Sequence, residues 1–106
     1  MGRYPRRKQA RLAEKLLQIR FALGLSQNEM LRHLRIEESL YRTSISNYEL
    51  GDREPPLYVL LRYARAANVF VDALIDDELD LPDKLPASTK SEGIRRKKTV
   101  RKRASS

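Results

Sequence analysis

The sequence predicts an all-α domain of five short helices with basic, flexible N- and C-terminal tails. Apolar residues recur at alternating spacings of three and four along several segments, and this is the period of one helical face. Serine, glycine and proline stand at positions where helices begin and end. No stretch alternates convincingly at the period of two that a half-buried strand requires. We expect residues 9–79 to form the domain, residues 1–8 a basic arm, and residues 80–106 a linker and basic tail.

The first two predicted helices have recognisable end signals. The apolar face of the first helix, expected over residues 9–23, consists of Leu12, Leu16, Ile19 and Leu23. Gly24 follows at the position where a left-handed C-terminal cap is favoured. Ser26 precedes Glu29 by three residues, which is the spacing of a capping box and predicts the start of the second helix. The buried side of that helix is expected to be Met30, Leu31 and Leu34.

A third helix is indicated by residues 44–50, which are followed by Gly51 as a terminator. Ile45 and Tyr48 lie three residues apart in this segment, so both are expected to point inward. The connection before the helix is long, and the candidates for anchoring it to the body are Ile36, Leu40 and Tyr41.

Two prolines mark the start of the fourth helix. Pro55 and Pro56 are expected to open it, because proline is tolerated in the first helical turn. Its apolar stripe is expected to consist of Leu57, Leu60, Leu61, Ala64 and Ala67. A short fifth helix, over about residues 71–77, offers the apolar side chains Val71, Leu74 and Ile75.

The composition excludes several classes of protein. The chain of 106 residues contains no cysteine and a single histidine, His33. A disulfide-stapled scaffold, a thiolate zinc site and a cysteine nucleophile are therefore excluded, and a histidine without neighbouring ligands does not form a metal site. No catalytic set can be assembled, so we expect neither an enzyme nor a cofactor. No apolar run approaches the ~18 residues of a membrane span, and the expected location is the cytoplasm.

The net charge of +8 lies in the two ends of the chain. Residues 1–11 hold five basic residues and no acidic one, and residues 84–106 hold nine basic residues against Glu92. Residues 12–83 hold eight basic and thirteen acidic residues. Basic ends of this kind bind polyanions by releasing counterions, without sequence preference. Residues 80–93 are rich in Pro, Ser, Asp and Lys, which is typical of a linker.

Three segments together resemble a known family. They are LGLSQNEM at residues 23–30, ISNYELG at 45–51 and REPPLYVLLRYARAANVFVDALI at 53–75. In this order and spacing they resemble the phage-repressor and Cro-like helix-turn-helix domains of bacterial regulators, the Xre family, over about residues 9–77. The resemblance implies a five-helix lambda-repressor-like domain that binds specific DNA sequences and regulates transcription. One departure is the connection over residues 35–44, which is about four residues longer than usual and has Arg35 where glycine is common. A second departure is Phe70, at a position where the family often has serine or a similar N-cap for the fifth helix.

The resemblance also implies roles for individual residues. A recognition helix over about residues 42–50 enters the major groove, and its base-reading positions are Arg42, Thr43, Ser46 and Asn47. The implied phosphate contacts are Gln27, Asn28 and Arg53. Arg20 and Glu49 form an implied structural pair between the first and third helices. The charge of the N-terminal arm adds candidates for nonspecific DNA contact, namely Arg6, Arg7 and Lys8.

The expected partner is therefore double-stranded DNA, bound by a regulator of bacterial or phage type. One alternative is an antitoxin whose C-terminal tail folds on a toxin and whose domain represses its own operon. Another is an RNA-binding or nucleoid-packaging protein that uses charge alone. Relatives commonly bind two-fold sites as dimers, and the candidate homodimer surface here is Leu74 and Ile75 of the fifth helix. A monomeric binder is the open alternative.

Overall fold

Five α-helices form the regular structure of the domain. The computed structural model describes residues 9–38 and 40–90, and the helices are α1 (Leu12–Leu23), α2 (Gln27–Leu34), α3 (Arg42–Leu50), α4 (Leu57–Ala67) and α5 (Asp72–Ile75). This part of the chain contains no strand, so the predicted all-α class with five helices is confirmed. The predicted arm over residues 1–8 and the predicted tail beyond residue 90 lie outside the described residues.

The predicted end signals of Gly24, Ser26 and Gly51 are present. The prediction that Pro55 and Pro56 lie in the first turn of α4 is wrong, because the helix begins at Leu57 and Pro56 is its extended N-cap. Gly24 has a φ of +71° and Gly51 a φ of +81°, so each ends its helix in the left-handed region that glycine enters without steric cost. At the start of α2 the Ser26 Oγ accepts the Glu29 N–H at 3.1 Å, and the Glu29 carboxylate accepts the Ser26 N–H at 2.8 Å. The bond from the Ser26 N–H lowers the pKa of Glu29, because it favours the charged carboxylate.

Arg35 ends α2 in a conformation that usually belongs to glycine. Its φ is +60°, and its N–H donates to the Arg32 carbonyl at 3.1 Å. The Arg62 guanidinium of α4 donates to the carbonyls of Leu34 and Arg35 at 2.8 and 3.3 Å. The left-handed conformation is unfavourable for a residue with a Cβ atom, so it destabilises the folded state at Arg35. The hydrogen bonds from Arg62 to the last carbonyls of α2 offset this cost.

The connection over residues 36–41 is attached to the body by two of its three predicted anchors. Ile36 is buried, Leu40 packs partly buried against the core, and the Leu40 N–H donates to the Ile36 carbonyl at 3.0 Å. Tyr41 is 76% exposed, so its predicted anchoring role is wrong. Tyr41 immediately precedes α3 and is engaged through its backbone, because its carbonyl accepts the Ser44 N–H at 2.8 Å.

The buried face of α4 overlaps the predicted one only in part. Its buried positions are Val59, Leu60, Tyr63, Ala64 and Ala67. Leu57 and Leu61, which the predicted stripe includes, are 83% and 39% exposed. Both faces satisfy the helical spacing and have three residues in common, so periodicity alone does not separate them. Packing of α4 against α1, α2 and α5 selects the face that is buried.

The folded body continues beyond residue 79, and the linker predicted there is wrong in its first part. Leu81, Leu85 and Ala87 are buried in the same core as the helices. The Ala87 N–H donates to the Ala67 carbonyl at 2.9 Å, which joins this segment to the end of α4. The segment packs as irregular chain without a helical or strand period, so its sequence pattern did not indicate burial.

The acidic segment after α5 is bound to the start of α1. The Asp77 carboxylate accepts the N–H groups of Ala10 and Arg11 at 2.9 and 3.0 Å. The Arg11 guanidinium donates to the carbonyls of Asp77 and Leu79 at 3.0 and 3.1 Å. It also forms an ion pair with the Asp80 carboxylate at 2.7 Å. The charge of Arg11 is therefore used within the domain.

Lys15 is a buried charged residue that the sequence did not indicate. Its Nζ donates to the carbonyls of Ala73 and Asp76 at 2.8 and 2.9 Å. Both carbonyls lie at the end of α5, where they lack partners within the helix. Burial lowers the pKa of Lys15, since it disfavours the charged ammonium group. Lys15 thus binds α1 to the end of α5.

Asp77→Asn is expected to reduce the loss of stability in acid. Two backbone N–H bonds lower the pKa of Asp77 below its ordinary value of 3.8. A carboxyl group with a lowered folded pKa adds stability above its unfolded pKa, and this stability is lost as the pH falls through the folded pKa. Urea unfolding between about pH 5 and pH 2 should therefore show a larger loss in the parent than in the variant.

The matched control for this experiment is Asp83→Asn. Asp83 is an exposed carboxylate of the same acidic segment and makes no hydrogen bond to a described residue. Its removal should leave the acid dependence of the parent in place. If the parent and the Asp77→Asn variant lose stability equally in acid, the role assigned to the Asp77 carboxylate is wrong.

Candidate nucleic-acid interface

α3 has one side in the core and the other side outward. Ile45 and Tyr48 are 0% and 4% exposed, which confirms the inward direction predicted from their spacing. They are part of the single core cluster, and α3 packs against both α1 and α2. α2, the connection and α3 therefore form one packed unit in which the outward side of α3 has a defined orientation.

A buried ionic network joins the last turn of α3 to α1 and α2. The Arg20 Nε and Nη2 atoms donate to the two carboxylate oxygens of Glu49 at 2.6 and 3.0 Å. The Arg20 Nη1 donates to the Leu25 carbonyl at 3.0 Å, and the Gln27 amide donates to Glu49 at 3.2 Å. The predicted pairing of Arg20 with Glu49 is confirmed, and the bond to Glu49 raises the pKa of Arg20. Their side chains are only 13% and 5% exposed, so water screens this pair poorly.

Tyr63 of α4 contributes a buried polar atom to the core. Its hydroxyl group is buried and has no hydrogen-bond partner among the described residues. Burial raises the pKa of Tyr63, and the nearby charge of Glu49 acts in the same direction. The phenol is therefore neutral at physiological pH, and it belongs to the core that supports the network.

The four predicted base-reading residues lie on the outward side of α3, which we call the reader face (Arg42, Thr43, Ser46 and Asn47). Arg42 and Thr43 are exposed, and Ser46 and Asn47 are partly buried. Positions four apart are neighbours on a helix surface, so the four residues form two adjacent rows. None of their side chains makes a hydrogen bond to another described residue. Their polar groups are therefore available to a ligand.

The predicted phosphate contacts lie at two points beside α3. Gln27 and Asn28 open α2, where Asn28 is exposed and Gln27 is bonded to Glu49. Free N–H groups at the start of a helix attract anions. Arg53 is exposed in the turn after α3, and its N–H donates to the Asn47 carbonyl at 3.3 Å. Outside the described residues lie Arg6, Arg7 and Lys8.

The predicted dimer surface on α5 is present only in part. Leu74 is fully buried, so its predicted place on the surface is wrong. The helix has only four residues and packs against α1 and α4, which draws Leu74 into the core and leaves Ile75 42% exposed. Ile75 and the exposed Leu57 line the same open pocket. The apolar surface on this side of the domain is therefore centred on Ile75 and Leu57.

Tyr41 is an exposed aromatic residue that the sequence reasoning did not assign to the site. It immediately precedes Arg42 of the reader face and is 76% exposed. Aromatic rings on nucleic-acid-binding surfaces pack against bases and sugars. The available signal was its place at the end of the long connection, directly before α3.

Comparisons with protein-family models, curated proteins and solved structures found no match. Among residues 9–38 and 40–90, no group of three histidine, aspartate or glutamate side chains is arranged to hold a metal ion. None of the helices in this part of the chain is long and apolar enough for a membrane crossing.

Proposed function

We propose that this chain is a sequence-specific DNA-binding transcriptional regulator of bacterial or phage type, with a lambda-repressor-like helix-turn-helix fold. In this proposal α3 enters the major groove, which is wide enough for an α-helix. One observation supports it above the others: α3 is anchored on its inner side by the core and by Glu49, while the reader face has no described partner. Base reading requires side chains held in register by a rigid support, and this anchoring supplies one.

The side chains of the reader face match the hydrogen-bonding groups on base edges. The Asn47 amide can pair bidentately with adenine, and the Arg42 guanidinium can pair bidentately with O6 and N7 of guanine. The Thr43 methyl group can contact a thymine methyl group, and the Ser46 hydroxyl can donate or accept. Sequence specificity is therefore assigned to three uncharged side chains and one arginine.

The remaining polar groups are assigned to the phosphate backbone. Gln27 and Asn28 at the start of α2 and Arg53 after α3 would set the position of the domain on the duplex. The basic arm would add affinity without sequence preference, because each neutralised phosphate releases counterions. The candidates for that role are Arg6, Arg7 and Lys8.

Selection of binding sites from a random duplex pool tests this proposal, with affinities then measured at several salt concentrations. A sequence reader should yield a shared motif, and the selected duplex should bind at least about 10³-fold more tightly than random duplex. Equal affinity for the selected duplex, random DNA and RNA contradicts the proposal and supports binding by charge alone.

Asn47→Ala is expected to cost ~1–3 kcal/mol of binding free energy at one base pair and to relax the preference there. Gln27→Ala is the comparison, because the loss of a phosphate contact should weaken binding to all sequences alike. Both variants are titrated with a set of duplexes that differ by single base pairs. Gln27 also bonds Glu49, so the unfolding free energy of each variant is measured alongside. A sequence-independent loss from both changes contradicts the reader assignment.

A further inference from the structure

A basic cleft lies between the C-terminal halves of α2 and α4, and no residue of the reader face lines it. It is open to solvent, has a volume of about 510 Å³, and is lined by His33, Leu34, Arg35, Arg62, Arg65 and Ala66. Its lining includes three arginines and no carboxylate. We call it the α2–α4 cleft.

The three arginines of the α2–α4 cleft differ in the hydrogen bonds that their guanidinium groups make. Arg62 is held in place, because its Nη1 donates to the carbonyls of Leu34 and Arg35. These bonds already compensate the negative C-terminal end of α2. Arg35 and Arg65 are exposed, and neither guanidinium makes a hydrogen bond or an ion pair with another described residue. Two unpaired guanidinium groups thus share a cleft with a third that is pre-positioned.

The α2–α4 cleft lies at the opposite end of α2 from the proposed phosphate contacts. Gln27 and Asn28 open the helix, and Leu34 closes it. A helix of eight residues is about 12 Å long at ~1.5 Å per residue. The lining of the cleft therefore shares no residue with the groups that are proposed to hold the first duplex.

The last described residues of the chain pack near the same end of α4. The Asn68 amide donates to the Ala87 carbonyl at 2.6 Å, and the Lys90 ammonium lies 5.8 Å from the centre of the Phe70 ring. Residues 94–103 of the sequence carry seven further basic residues. A chain that carries this many basic residues in addition to the cleft favours an extended polyanion as the ligand over a short acidic peptide.

We propose that the α2–α4 cleft binds the phosphate backbone of a second DNA duplex, so that the protein bridges two DNA segments. Planar guanidinium groups bind phosphate oxygens bidentately, and Arg35, Arg62 and Arg65 present three of them around one cleft. The bridging role rests on the proposed function, since the first duplex is held by α3. The site itself needs no base sequence, because phosphate contacts are independent of sequence.

A capture experiment with the full chain tests the cleft. A duplex that carries the selected site is immobilised, the protein is bound, and capture of a labelled random-sequence duplex is measured at several salt concentrations. The double variant Arg35→Gln/Arg65→Gln should greatly reduce capture of the labelled duplex. The slope of the logarithm of the capture affinity against the logarithm of the salt concentration should become less steep by about 1.8, which is twice the 0.9 expected per phosphate contact. Affinity for the immobilised duplex alone should stay unchanged. Arg32→Gln/Lys84→Gln is the matched control, because it removes equal charge from exposed positions outside the cleft.

Several outcomes overturn the assignment. They are absence of capture by the parent, equal capture by the cleft variant, and an equal loss in the control variant. If the cleft variant loses affinity for the immobilised duplex itself, the cleft contacts the same duplex as α3 and no second duplex. Binding of poly-glutamate by the parent alone, without duplex capture, points to an acidic protein partner. If selection yields no motif, the proposed function fails, and bridging is then measured between two random duplexes.

Discussion

Arg20→Met is expected to lower the free energy of unfolding by about 3–5 kcal/mol, because it leaves a buried carboxylate without its cation. The change removes two donors to Glu49 and one to the Leu25 carbonyl. Glu49 is 5% exposed and would retain only the amide of Gln27. A domain of this size has a total stability of about 5–15 kcal/mol, so much of it would be lost. Urea unfolding at neutral pH measures the change.

The double variant Arg20→Met/Glu49→Met separates a broken ion pair from lost packing. Replacing both partners of a buried pair by apolar residues is often neutral or stabilising, so the double variant should recover to within about 1 kcal/mol of the parent. Arg32→Met on the exposed side of α2 is the control and should stay within about 0.5 kcal/mol. A double variant as unstable as Arg20→Met alone would show that packing, not charge, determines the effect.

A chain that ends at residue 79 is expected to lose cooperative folding. It lacks Leu81, Leu85 and Ala87, which are buried with the helices, and it lacks the Asp80 partner of Arg11. Each buried leucine is worth about 2–5 kcal/mol when truncated, so the combined loss approaches the whole stability of a small domain. Thermal unfolding followed by circular dichroism should show a broad transition at a lower temperature than in the parent.

The control for this truncation is a chain that ends at residue 90, which keeps every contact described above. It should unfold at the temperature of the parent. The point variant Leu85→Ala should cost about 2–5 kcal/mol in the full chain, since Leu85 is 8% exposed. Equal stability of the chains that end at residues 79 and 90 would show that the segment packs without stabilising the core.

The helices of this domain were predictable because their signals are local. The spacing of Leu12, Leu16 and Ile19 and the capping box of Ser26 with Glu29 involve residues within one or two turns. The same holds for the inward direction of Ile45 and Tyr48 on α3. In each case the interaction that defines the element forms between neighbours in the chain.

The buried face of α4 and the acidic segment were not predictable in this way. Leu57 and Val59 both fit a helical stripe, and packing against other helices decides that Val59 is buried. Asp77 belongs to a run of acidic residues that resembles a solvated face, yet its carboxylate accepts two N–H groups from the start of α1. These partners are more than 60 residues apart, so no local pattern connects them.

The candidate site also combines features that local sequence patterns predict with features that depend on long-range contacts. The positions on the reader face follow from the family resemblance and from helical spacing. The anchoring of α3 depends on Glu49 meeting Arg20 and Gln27, which come from two other helices. The α2–α4 cleft depends on Arg35 at the end of one helix meeting Arg62 of another.

The sequence by itself determined the helical class, the number of helices and the caps at Gly24, Ser26 and Gly51, because these follow from periodicity and capping within a few residues. Only the tertiary structure decided that residues 81–87 complete the core, that Leu74 is buried, and that Arg35 and Arg65 line one cleft. These features arise from contacts between residues distant in the chain. Such contacts form only when the whole domain packs into its close-fitting arrangement.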